Sequence, residues 1–170
     1  MKGRTSTKEN KTEYQLRREA LGYSRDKASE LMDFVSADRL EKIENEVSPP
    51  RPEEILAMSN AYQDPELCNY FCSVQCPIGQ KYVPSVKIRD LSEIVLKMLS
   101  SLNSVERQRD RFIDITADGK IEGEEIKDFV DIQNELEKIS LTVEAMQLWV
   151  EQMIATGAID AEAYNACKNP

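Results

Sequence analysis

Apolar residues recur along this chain at helical spacing, and strand-like alternation is scarce. The longest regular run starts at Ile88 and continues through Leu91, Val95, Met98, Leu102, Val105 and Phe112, in steps of three and four broken only by Arg109. A second run keeps the same rhythm without a break: Phe129, Ile132, Leu136, Ile139, Val143, Met146, Val150 and Met153. A repeat of about 3.5 residues lines such positions along one seam of a helix. Asp114 to Lys120, with Gly119 near its end, separates the runs and reads as a turn. Residues 81–170 are therefore predicted to form a long antiparallel helical hairpin. Ile94, Leu99, Leu141, Leu148 and Trp149 are apolar off the seam, so the stripe is too wide for one contact. A further surface is expected on it, either the N-terminal domain or a second copy of the hairpin.

Upstream the pattern breaks into short pieces. Leu16 to Leu21 ends at Gly22, a left-handed helix stop. Ser24 offers an N-cap, Asp26 puts a negative charge in the next first turn, and Ala28, Leu31 and Met32 form the apolar side of a helix ending near Asp33. Ser36 caps a third helix running through Asn45. After Pro49-Pro50-Arg51, the run Pro52-Glu53-Glu54 opens a fourth, with Ile55, Leu56, Met58 and Ala61 on its apolar face. Asp64-Pro65-Glu66 opens a fifth, which carries Cys68, Cys72 and Cys76 and stops at Pro77-Ile78-Gly79. The expected fold is all-α: a flexible basic tail (1–11), a helix-turn-helix domain of four to five short helices with the Cys-bearing helix (12–80), and the hairpin as dimerisation region (81–170).

The order of these residues resembles the phage Cro and repressor-like (XRE-type) helix-turn-helix proteins. The match lies in Leu16-Arg17-Arg18, Leu21-Gly22-Tyr23-Ser24, Lys42-Ile43-Glu44-Asn45, and the helix from Pro52 to Tyr62. It covers about the first third of the chain. The resemblance implies a structural ion pair between Arg18 and Glu44. It also implies that helix 3 enters the major groove of double-stranded DNA, with Ser36, Ala37, Asp38 and Lys42 toward base edges. Lys42 could reach a guanine and Asp38 could accept from a cytosine. Arg17, Arg25, Lys27, Arg39 and Arg51 are the candidate phosphate contacts. Two features depart from the family: the extra residue within Asp33-Phe34-Val35, and Glu46 where Gly commonly follows the Ile-Glu-Asn signature.

Composition changes this picture in two ways. The chain has no His, which removes the usual general base and commonest metal ligand, and no nucleophile–base pair or glycine-rich phosphate loop is present. No enzyme is expected. The net charge of −9 is unevenly spread: residues 1–62 carry 11 basic against 12 acidic residues, and 63–170 carry 11 against 19. The acid is concentrated outside the domain expected to meet DNA. No apolar run approaches membrane-spanning length and no signal peptide is visible, so a cytoplasmic protein is expected.

Two patterns could hold metal. Cys68, Cys72 and Cys76 recur every four residues, which spreads them along ~12 Å of helix, too far for one ion unless the helix unwinds. Buried small hydrophobes are the favoured reading. Asp114, Thr116, Asp118, Lys120 and Glu125 fall where a twelve-residue calcium loop resembling an EF-hand takes ligands, with Gly119 at its sharp turn. Thr116 in the third position lowers the ligand charge, and a capped interhelical turn is the favoured reading. No cofactor is expected. The leading function is a sequence-specific DNA-binding transcriptional regulator that is a homodimer through its hairpin. The alternatives are a protein-interaction module that kept the fold and lost DNA, or a calcium- or metal-responsive sensor.

Overall fold

The structure, a computed structural model, describes residues 10–168. The basic tail therefore lies almost wholly outside the described residues. Every regular element described is helical: α1 (Glu13–Ala20), α2 (Arg25–Glu30), α3 (Ala37–Glu44), α4 (Pro52–Tyr62), α5 (Glu66–Tyr70), α6 (Gly79–Tyr82), α7 (Leu91–Thr116), α8 (Glu125–Ala155) and α9 (Ala161–Lys168). A single π turn, Phe71–Gln75, continues α5. None of these helices is long and apolar enough to cross a membrane. The chain divides into two units: one takes in the chain up to Ser85 and from Glu151 onward, the other is Val86–Val150. The end of α8 groups with the first unit.

The short helices of the first unit are set by their caps. Thr12, Ser24 and Ser36 each accept a bond from the backbone N–H three residues on, at 3.3, 3.1 and 3.2 Å. Gly22 takes a φ of +70° after α1. Pro52 opens α4, and the Glu54 carboxylate reaches back to the Arg51 N–H at 2.8 Å. The helix expected to run to near Asp33 instead ends at Glu30, and Leu31 and Met32 form the turn into α3. With Ser36 already committed as a cap, the residues before it leave helical geometry early. α1 starts three residues before Leu16 because Thr12 supplies its cap.

These helices close on one core: Tyr14, Ala28, Met32, Val35, Leu40, Ile43, Ile55, Met58, Tyr62 and Leu67. Leu40 and Met58 are completely buried, and each such side chain contributes about 1.5–3 kcal/mol. Tyr14 stacks edge-on to Tyr70, ring centroids 5.8 Å apart, and donates its hydroxyl to Gln75 Oε1 at 2.8 Å. That hydrogen bond ties α1 to the π turn.

In the second unit α7 and α8 form the expected antiparallel hairpin. Near its turn Phe112 packs against Phe129, centroids 6.2 Å apart, and Arg111 pairs with Asp128 at 2.5 Å. The expected seam holds in part: Ile132 is buried and Val95, Met98, Val105, Phe112, Phe129, Ile139 and Met146 are half-buried, but other positions depart from it. Ile94, Ser101, Ile115, Ile132 and Thr142 are buried, whereas Leu91, Leu102, Leu136 and Val143 are 37%, 45%, 44% and 40% exposed. Small side chains at Ser101, Thr142 and Ala145 suit a close approach of two helices, because interaxial distance follows the size of the contacting residues. The leucines are displaced to the flank.

Candidate nucleic-acid interface

Arg18 reaches from α1 to α3. Its Nε lies 2.6 Å from Glu44 Oε1 and one terminal nitrogen 2.8 Å from Oε2; the other donates to the Tyr23 carbonyl at 2.6 Å. Both side chains are buried. Burial opposes the charged guanidinium, but the bond and charge of Glu44 outweigh it and hold Arg18 above its usual pKa. The bidentate fork fixes the angle between α1 and α3, the pairing that the family resemblance implied.

The four predicted base-reading positions lie on the N-terminal three-quarters of α3 and its cap. Ser36, Asp38 and Lys42 are exposed, and Ala37 is half-buried. The Ser36 hydroxyl accepts the Arg39 N–H, so its oxygen is partly committed to holding α3. Asp38 and Glu41 share the rim of a shallow cleft of about 360 Å³ with Ser24, Arg25 and Asp26. Carboxylates outnumber free cations along this edge.

The predicted phosphate contacts are nearly all occupied. Arg17 pairs with Asp64 at 2.8 Å and Glu66 at 2.5 Å. Arg25 pairs with Glu44 at 2.9 Å and Glu41 at 3.1 Å. Arg39 makes a two-pronged bond to Glu54, both contacts 2.7 Å, and also reaches Ser48 and the Pro49 carbonyl. This bond drops Glu54 below the usual carboxylate range, against the opposing effect of its burial. Lys27 meets Glu30 at 3.2 Å, where both ends are more than half exposed and screening by water leaves little attraction. Arg51 and Lys42 have no carboxylate within salt-bridge distance among the described residues.

Sequence reasoning named the arginines but missed their partners. Asp64, Glu66 and Glu54 lie 15 to 49 positions away, and no local pattern marks them. Their effect is to brace the loops around α3: Arg39 ties α3 to the α3–α4 loop and α4, and Arg17 ties α1 to the start of α5.

The metal candidates are not assembled. Among the described residues no group of three or more Cys, Asp or Glu is arranged to hold an ion. Cys68, Cys72 and Cys76 are free and half-buried. The change from α to π geometry between Cys68 and Cys76 breaks the regular four-residue face predicted for them. Burial pushes the Cys68 thiol up, against a smaller opposite effect from a hydrogen bond with Ser59. In the hairpin turn, Asp114 and Thr116 remain inside α7, and the Thr116 hydroxyl donates to the Phe112 carbonyl at 2.7 Å. Asp118 accepts the Lys120 N–H at 2.9 Å, and Glu125 accepts the Glu122 N–H at 3.4 Å. These oxygens cap the ends of the turn. Comparison with known proteins finds no matching family model, no matching curated protein and no matching solved structure.

Proposed function

We propose that this protein is a cytoplasmic, non-enzymatic transcriptional regulator that binds double-stranded DNA in sequence-specific fashion through α3. The observation that carries this reading is the buried Arg18–Glu44 fork. It braces α1 against α3, and Asp38 and Lys42 are exposed one turn apart on that helix, with the exposed Ser36 at its cap, an arrangement that suits major-groove docking. Lys42 supplies the guanine-type donor and Asp38 the cytosine-type acceptor. Lys42 and Arg51 supply the least encumbered positive charge, while Arg25 and Arg39 must exchange a carboxylate for a phosphate. Non-specific affinity is therefore modest, and base contacts carry a large share of the binding.

One observation favours a second reading. The acids Asp38 and Glu41 beside a set of internally neutralised arginines suit a protein-interaction module that keeps the fold without DNA. Selection of binding sequences from a random duplex pool by the purified protein separates the two. Enrichment of one sequence, relaxed at one base pair per half-site by Lys42→Ala, supports the regulator. No enriched sequence supports the interaction module.

A further inference from the structure

We propose that the cleft between the start of α1, the carbonyl end of α3 and the π turn is a binding site for a small organic cation with an apolar body. The cleft encloses about 470 Å³, within the usual range for small-molecule sites. Tyr14 and Ile43, both buried, form its floor, and half-buried Phe71 stands beside them. Glu46, Gln75 and Pro77 also line it and are exposed, which puts a carboxylate and an amide at the mouth. The Tyr14 hydroxyl already holds Gln75 Oε1 at 2.8 Å, which fixes that wall before any ligand arrives. Phe71 and Gln75 begin and end the π turn, an uncommon geometry that recurs at functional sites.

Charge decides what the cleft would hold. Glu46 lines it with a carboxylate, and no Lys or Arg does. Among the described residues no basic group lies within salt-bridge distance of that carboxylate. The carbonyl end of α3, where Ile43 sits, adds backbone dipoles that also favour a cation. Glu46 has a further peculiarity: its φ is +57°, in the left-handed region that favours Gly. Among the described residues no hydrogen bond or ion pair of its side chain offsets that strain. A charged group kept at a strained position, without a partner and above an apolar floor, points to a contact made with something outside the chain. An anion would meet a carboxylate and a repelling dipole, and a purely apolar ligand would leave Glu46 unused. An ammonium on an aryl or alkyl body suits both halves of the cleft. Its charge reaches Glu46 at the mouth, and its body covers Ile43 and Phe71, whose ring adds cation–π attraction.

The test is titration of the full-length, isotope-labelled protein with phenethylammonium chloride, followed by calorimetry and by backbone amide shifts in NMR. Saturable binding that moves the amides of Ile43, Glu46 and Phe71 is expected. Glu46→Gln should weaken it about tenfold or more, as loss of one charge-assisted contact does. Glu46→Gly, which relieves the positive φ and so keeps the fold, should show the same loss. Phenethyl alcohol, of the same shape without the charge, should bind the wild type about tenfold more weakly and should not distinguish wild type from either variant. No saturable binding of the ammonium overturns the proposal. Equal affinity of wild type and Glu46→Gln, or shifts confined to residues outside the cleft, overturns it too. The site does not rest on the DNA reading: a failed selection of DNA would leave it standing, and its absence would leave selection of a DNA sequence untouched.

Discussion

At the scale of single residues the molecule is held by a few interactions whose loss has distinct physical causes. Arg18→Ala should destabilise the first unit by about 3–5 kcal/mol, because the buried Glu44 carboxylate is left without its main partner. Replacing both by apolar residues of similar size, Arg18→Met with Glu44→Leu, should recover most of that loss, since a buried ion pair returns little beyond its own desolvation cost. Urea unfolding of the wild type and the two variants measures this directly. A double variant no better than Arg18→Ala would show that the pair's value lies in the Tyr23 and Arg25 contacts instead. Gly79 illustrates a different cause. A Cβ there would stand 2.0 Å from the Cys72 carbonyl oxygen, so α6 must lift off the π turn to accept it. Gly79→Ala should lower stability by roughly 1–3 kcal/mol through this steric clash. At Gly22 a Cβ would meet nothing within 4 Å, so the cost of Gly22→Ala should be only the ~1 kcal/mol of a positive φ. Thermal melts of the two variants should rank in that order.

At the scale of elements, helix starts were legible in the sequence because capping is local. Ser24 and Ser36 need a partner only three residues away and Pro52 needs only its own fixed φ, and all three open helices as predicted. The ion-pair ties between elements were not legible, because Arg39 with Glu54 or Arg17 with Asp64 depend on how the helices pack. The hairpin followed from periodicity, but the choice of inside face did not: the apolar positions of α7 define a broad stripe, within which Ile94 is buried and Leu91 exposed. The Arg39–Glu54 tie gives the α3–α4 corner a pH dependence. Glu54 titrates below its unfolded value, so its contribution is fully present above the ordinary glutamate range and is lost as pH falls through the depressed value. Chemical denaturation from neutral pH down to acid should show wild-type stability falling more steeply than that of Glu54→Gln. Parallel curves would mean that the tie contributes nothing to folding.

At the scale of the whole molecule, function depends on a balance of charge. The chain as a whole is strongly acidic, and most arginines near α3 are neutralised from within, so any affinity for DNA must come from a few local contacts. Each phosphate neutralised releases counterion and adds about 0.9 to the slope of log affinity against log salt. The slope therefore counts how many of Arg25, Arg39 and Arg51 engage a phosphate on binding. The most direct measurement is titration of the selected duplex and of random duplex with wild type, Arg25→Ala and Lys42→Ala across a salt series starting at about 50 mM. The account predicts tighter binding to the selected duplex, a flatter slope on both duplexes for Arg25→Ala, and a loss of about 1–3 kcal/mol confined to the selected duplex for Lys42→Ala. Equal affinity for both duplexes, or no binding of either at the lowest salt, would contradict it.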